Sequence, residues 1–207
     1  MKQQLIGMLS LQDEMNCKVH AQWEQQGFAW YRAIWTECAE LLEHYGWKWW
    51  KKCEPDLPQV QLEVVDIWHF GMSLQLQTCG NDKDKVATDL LAGLTVPESA
   101  PDLRVAIERL AAQAVAEHRF DVGCFAQVMG ACGLSFAALH RQYIGKNVLN
   151  FFRQDHGYQQ GTYLKVWNER EDNQHLVEVL DELALEPNTP GALRELVYQA
   201  LAARYPN

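Results

Sequence analysis

The sequence predicts an all-α protein: a helical bundle built on two helices that each carry an acidic pair, with an additional helical lobe. Three observations predict it. Apolar residues recur at helical spacing along most of the 207-residue chain, whereas the apolar–polar alternation of a strand is nearly absent. Prolines and glycines cut the periodic runs into helix-sized pieces. Two runs that are otherwise apolar, Trp35 to His44 and Leu62 to Phe70, each place two acids three positions apart, Glu37/Glu40 and Glu63/Asp66.

Residues 3–26 read as the first helix, apolar at Leu5, Met8, Leu9, Met15 and Val19, with Gln12 and Asn16 sharing a face and Gly27 as its break. A second helix is expected from about Ala29 to Trp50, carrying Glu37, Glu40, Leu41 and the block Gly46-Trp-Lys-Trp-Trp-Lys-Lys52. Two prolines in four residues, at Cys53-Glu-Pro-Asp-Leu-Pro58, end it. The third helix, about Gln59 to Gln77, carries Glu63, Asp66, His69 and Phe70. Polar loops at Thr78–Lys85 and Leu94–Pro101 bracket a short helix over 86–93. Pro101 suits the first turn of a helix whose apolar positions are Leu103, Val105, Ile107, Leu110, Ala114 and Val115. Phe120 to Cys132 reads as a further short helix, and Ser135 as the N-cap of one from Phe136 to about Gln154, with Leu139, Tyr143, Val148 and Leu149 facing inward. A glycine-bearing loop, Asp155–Gly161, leads through Thr162–Trp167 to the acidic stretch Glu169–Asn173. Helices at Asn173–Leu185 and Gly191–Arg204, parted by Glu186–Pro190, close the chain.

The length allows one sizeable core, or a core with a smaller lobe, and 48% hydrophobic with 22% charged residues is ordinary for a globular protein. Six of the eight tryptophans fall between positions 23 and 50, which concentrates large packing or stacking surfaces in the first third. A net charge of −9 argues against a protein whose main partner is nucleic acid. It leaves room for a small phosphorylated substrate held by local cations. Six scattered cysteines without a CxxC pair fit reduced thiols in a cytoplasmic setting. The opening Met1–Leu11 turns polar too early for a signal peptide, and no apolar run approaches bilayer length, so a soluble protein without a membrane partner is expected.

Residues at i and i+3 share a helix face, so each acidic pair directs both carboxylates to one place. Either pair alone would pass for a solvated surface. Set in apolar flanks and brought side by side, the two pairs would converge four carboxylates, which require a cation or raised pKa values. Oxygen donors in that number suit Mg²⁺ or Mn²⁺. A di-iron bundle would need Glu-x-x-His twice, and only Asp66-x-x-His69 approximates it. Further along, Lys146, Asn150 and Arg153 share one helical face, and Lys165 follows the glycine loop. Such a strip is either a solvated charged face or, with a metal site, the means to neutralise a polyphosphate.

Several motifs carry a family resemblance: Leu11-Gln-Asp-Glu-Met-Asn16, Trp35-x-Glu37-x-x-Glu40-Leu, Trp47-Lys-Trp-Trp-Lys51 and Glu63-x-x-Asp66-x-x-His69-Phe70 in the first half. Tyr143-x-x-Lys146-Asn-x-Leu-Asn150-x-Phe-Arg153, Gly157-Tyr-x-x-Gly161-x-Tyr-x-Lys165-x-Trp167 and Glu171-Asp-Asn173 follow in the second. Taken in order, they resemble the dimeric dUTP diphosphatases (dUTPases) of the all-α nucleoside triphosphate pyrophosphatase superfamily. The stretch 71–134 matches no family motif.

The resemblance implies one dUTPase-like domain, with a core of about 1–77 and 135–173 and an accessory helical region of about 78–134. It also implies a homodimer that hydrolyses dUTP, and dUDP as well, to dUMP. Glu37, Glu40, Glu63 and Asp66 would hold two or three Mg²⁺, with Mn²⁺ able to substitute, and Glu37 would act on the attacking water. Lys146, Asn150, Arg153, Lys165 and Asn173 would bind phosphates. Gln12, Asn16, His69, Phe70, Trp47, Tyr158 and Tyr163 would contact base and sugar. A pyrophosphatase of different or broader base preference, acting on dCTP or modified nucleotides, stays open, as does a nucleotide-binding homologue without catalysis. An amide that flips freely satisfies uracil and cytosine alike, so uracil selectivity requires neighbours that lock Gln12 and Asn16.

Overall fold

A computed structural model describes residues 1–95, 101–184 and 190–206. Among these residues the chain forms nine α-helices: α1 Lys2–Val19, α2 Trp30–Tyr45, α3 Leu57–Thr78, α4 Lys83–Gly93, α5 Leu103–Glu117, α6 Val122–Ala131, α7 Phe136–Asp155, α8 Asp172–Ala184 and α9 Pro190–Arg204. The expected loop at Leu94–Pro101 and the break at Glu186–Pro190 fall largely outside the described residues. Helix starts follow the capping chemistry of the sequence. Asp56, Asp82, Asp102 and Asp121 each accept a backbone N–H of the first turn, at α3, α4, α5 and α6. Ser135 Oγ does the same for α7, accepting from Ala138 N at 3.2 Å.

The chain divides into two compact units, Met1–Leu139 and His140–Asn207. In the first, α2 lies along α3 and α5, α5 packs on α6, and α1 packs on α3 and α4. The core of this unit includes Leu5, Leu9, Ile34, Leu41, Val64, Ile67, Trp68 and Phe125, all essentially inaccessible. In the second unit, Phe152 of α7 meets Trp167, Tyr198 and Tyr205 edge-on at 5.3–5.8 Å between ring centroids. All six cysteines are free thiols. No single helix among the described residues is long and apolar enough to cross a membrane.

Three local outcomes differ from the sequence expectation. The first helix stops at Val19 rather than running to residue 26, because His20 is extended and the next segment folds into a 3-10 turn, Trp23–Gln25. That turn buries Trp23, whose Nε1 donates to Asp13 on α1 at 3.0 Å. Burial of one large ring outweighs helical periodicity here. The second helix stops at Tyr45, short of Trp50. Gly46 there adopts φ +82° and approaches so closely that a Cβ would sit 2.7 Å from Cys53 Cβ. Only glycine meets both demands. Finally, Val166–Trp167 and Arg170–Glu171 pair as a minimal antiparallel hairpin, β1 and β2, across a turn in which Asn168 and Glu169 both have positive φ.

Gly71 on α3 marks a tight contact in the first core, since a Cβ there would lie 2.7–2.8 Å from three Phe120 ring atoms. Phe120 cannot yield easily, being 2% exposed and packed on Trp68 and Phe125. Alanine would gain about 1 kcal/mol of helix propensity, but overpacking costs roughly 1–3 kcal/mol. Gly71→Ala should therefore lower stability, by up to about 2 kcal/mol in urea unfolding, and a compensating Phe120→Leu should recover part of the loss.

Candidate functional site

The apolar stripe of α2 runs through Ile34, Cys38 and Leu41, and Glu37 borders it. On α3, Glu63 is 3% exposed and sits among Leu62, Val64 and Val65. Because α2 lies along α3, Glu37, Glu63 and Asp66 come together: one carboxylate oxygen from each lies within 4.8 Å of the others. Glu40 is exposed and does not belong to that group. His44, on the last turn of α2, places Nε2 3.4 Å from Glu63 Oε1. Nothing in the periodicity marks that contact, which depends on how α2 and α3 are aligned.

Burial first, then the charges of Asp66 and Glu63, a hydrogen bond with Glu63 and the charge of Glu40 push the Glu37 carboxyl up to about 9. Without a cation this carboxyl holds its proton at neutral pH. Three converging hard oxygens, one kept protonated by its neighbours, are the donor set that Mg²⁺ or Mn²⁺ fits. The neighbouring Cys38 thiol is pushed to about 12 by burial and by Glu37, so it is an inert packing group.

On the same unit, Gln12 and Asn16 of α1 are each 4% exposed and meet Ser73 of α3. Gln12 Nε2 donates to Asn16 Oδ1 and to Ser73 Oγ, both at 3.0 Å, and Asn16 Nδ2 donates to Ser73 Oγ at 3.0 Å. His69 is buried, with Nδ1 2.8 Å from Val65 O. Phe70 stacks on Trp30 at 6.2 Å within an aromatic group that includes Trp23 and Phe28. Trp47 lies on the surface, 41% exposed, and donates Nε1 to Glu43 at 2.8 Å. Helix α2 ends before it, so the structure does not bring Trp47 into the hydrogen-bonded group of Gln12 and Asn16.

The second unit gathers the basic strip around Asp172, a residue to which the sequence reading gave no role. Asp172 opens α8, has no accessible surface, and takes both a 2.8 Å and a 2.9 Å hydrogen bond from Arg153. Tyr163 donates its hydroxyl to the same carboxylate at 2.8 Å. Arg153 also reaches Asn150 at 3.2 Å and Asn173 at 3.4 Å, while Lys146, 2% exposed, donates to Asn173 at 2.9 Å. Burial raises the Asp172 pKa, but Arg153, Tyr163 and Lys146 outweigh it and hold the carboxyl below its ordinary range. The hairpin sets Lys165 against Glu171 at 3.2 Å, and Tyr158 lies exposed beneath the Arg153 guanidinium at 5.8 Å. Lys146, Asn150, Arg153 and Asn173 thus form one network, with Lys165 tied to its edge through Glu171. The adjacency of Asp172 to Asn173 was the sequence signal for it.

The raised Glu37 pKa fixes a pH dependence. The ordinary value is near 4.5, so between 4.5 and about 9 the folded, metal-free protein holds a proton that the unfolded chain has released. Stability from this group is complete below pH 4.5 and is lost as pH rises toward 9. In EDTA, Tm should fall across that window. Glu37→Gln should flatten the dependence and raise Tm near pH 8.5 by roughly 3–8 °C, at about 2–4 °C per kcal/mol for a chain of this size. A parallel Tm profile in both proteins would contradict the electrostatic assignment.

No curated protein gives a significant match to the chain. The protein-family model for dUTPase matches residues 4–158, about three quarters of the sequence, and covers α1 through α7 with both acidic helices and the Lys146–Arg153 face. The chain belongs to the dUTPase family, the enzymes known as dUTP diphosphatases.

Proposed function

We propose that this chain hydrolyses dUTP to dUMP and pyrophosphate, accepting dUDP as well, and so removes dUTP while supplying dUMP. The observation that carries the reading is the convergence of Glu37, Glu63 and Asp66 on two adjacent helices of a dUTPase-family chain. Glu40, one turn from Glu37, completes the metal set in this reading, which holds two or three Mg²⁺ or Mn²⁺ ions in each subunit of a homodimer. When bound, these ions supply charge neutralisation at the phosphates and lower the pKa of water.

The residues of the chain do the rest. Burial and the neighbouring carboxylates raise the proton affinity of Glu37, which suits it to orient the attacking water and take its proton. Lys146, Arg153 and Lys165, with Asn150 and Asn173, are the phosphate ligands, and Asp172 holds Arg153 in a fixed bidentate geometry before substrate arrives. Three cations against the two carboxylates Asp172 and Glu171 leave this cluster one net positive charge, adequate to attract an anion without a basic protein surface. Gln12, Asn16, His69 and Phe70 serve the base and sugar, with Tyr158, Tyr163 and Trp47 as further contacts.

Pyrophosphate release from dUTP, dCTP, dTTP and UTP in Mg²⁺ tests the reading. Selective turnover of dUTP supports it, equal turnover across bases supports a broader pyrophosphatase, and tight dUTP binding without hydrolysis supports a nucleotide-binding homologue. Asp66→Asn should lower kcat for dUTP by roughly 100-fold or more, and near-normal turnover would remove Asp66 from the site. Mg²⁺ with a non-hydrolysable dUTP analogue at about 100 times its Kd should stabilise the fold by about 2.7 kcal/mol, read as a rise in Tm.

A further inference from the structure

We infer that Ser73 sets the base selectivity of this enzyme by locking the amides of Gln12 and Asn16 in one orientation. The inference rests on the reading of those two residues as base ligands. Ser73 has no accessible surface, and its hydroxyl lies 3.0 Å from the carbonyl of His69, one turn back on α3. With its single proton given to that carbonyl, Oγ is left as an acceptor. Gln12 Nε2 and Asn16 Nδ2 each meet it at 3.0 Å. Flipping either amide would put a carbonyl oxygen against an oxygen that has no proton to offer. Asn16 Oδ1, 3.3 Å from Ser73 Oγ, is a longer alternative acceptor for that proton, and a flipped Asn16 would in either case set its own N–H groups against Gln12 Nε2.

The orientation has a chemical consequence. Gln12 turns Nε2 into the network, toward Asn16 Oδ1 and Ser73 Oγ, which directs Oε1, an acceptor, to the other side of its amide. Asn16 gives one N–H to Ser73 and is a donor through the other. An acceptor beside a donor complements uracil, whose N3–H is flanked by carbonyl oxygens. Cytosine reverses that pattern at N3 and at the 4-amino group, so it would meet acceptor with acceptor and donor with donor. At 4% exposure each, the two amides present only an edge.

The test compares kcat/KM for dUTP and dCTP in Mg²⁺ for wild type, Ser73→Ala and Ser73→Thr. The alanine variant should lower the dUTP:dCTP ratio by roughly tenfold or more, chiefly through a gain with dCTP, whereas the threonine variant, which keeps the hydroxyl, should retain the wild-type ratio. A packing defect alone would depress both substrates equally and leave the ratio in place. If Ser73→Ala is not recovered folded, Ser73→Cys, nearly isosteric but a weak acceptor, gives the same readout, and calorimetric binding of dUMP against dCMP gives it without turnover. A folded variant lacking the hydroxyl whose ratio stays within twofold of wild type overturns the role of Ser73 alone. A wild type that fails to distinguish the two bases overturns the dUTP assignment together with it.

Discussion

Three carboxylates held within 4.8 Å of one another along an apolar seam are the constraint on which the rest of the first unit depends. At that spacing two ionised groups repel by about 3–4 kcal/mol with an effective dielectric near 20. Left to itself, the repulsion would part α2 from α3. Against it stand Ile34, Cys38 and Leu41 on one helix and Val60, Val64 and Ile67 on the other, all buried. Each larger apolar side chain contributes roughly 1.5–3 kcal/mol on burial. Two or three of them suffice to keep the acids together, and the residual strain is expressed as a proton held on Glu37. The seam therefore stores a demand for positive charge, which a divalent cation meets better than a proton because it serves all three oxygens at once.

The other two polar groups solve burial differently. The amide group of Gln12, Asn16 and Ser73 is neutral, and both amides donate to oxygens inside it, so it can sit in a core at little cost. The Asp172 group is charged and depends on compensation. A carboxylate with no accessible surface is tolerated because a guanidinium grips it with two bonds, a phenol adds a third, and the start of α8 supplies the favourable end of a helix dipole. Removing Arg153 would strip this buried carboxylate of its strongest partner and leave Tyr163 and Lys146 to hold it. Tyr163 is similarly committed, since burial first and then Asp172 raise its pKa and keep the hydroxyl a donor.

Much of this was legible in the sequence because helical geometry is local. At about 100° per residue, Glu37 lies about 65° from the centre of the Ile34–Cys38–Leu41 stripe, whereas Glu40 lies about 125° away. The first borders the seam and the second turns outward, a distinction that the i,i+3 rule alone does not make. Ser135 and the prolines around the start of α3 likewise mark helix ends by local chemistry, whereas Gly46 is masked by an apolar run that continues to Trp50, and the capping aspartates were not legible as caps. What was not legible depends on partners far along the chain. Ser73 is an ordinary small residue until α1 lies against α3, and Asp172 is one acid among several until Arg153 reaches it. The short hairpin was hidden because two paired residues on each side generate no alternation, and Trp23 because its buried position is decided by Asp13 on another turn of chain.

The link between α2 and α3 decides how Glu37 faces Glu63. It is fixed by contacts rather than by length. His44 O accepts the backbone N–H of Asp56 at 2.9 Å, so the last turn of α2 is tied to the residue that caps α3. Gly46 lets the chain turn where a side chain would strike Cys53, and its carbonyl accepts from Arg104 Nη2 at 2.7 Å while that guanidinium lies 4.7 Å over the Tyr45 ring. Arg104 belongs to α5, outside the stretch of paired acids and outside every family motif. The register of the acidic helices is thus set largely by residues outside the acidic group itself. A connection held from three sides is what brings Glu37 of one acidic pair against Glu63 and Asp66 of the other.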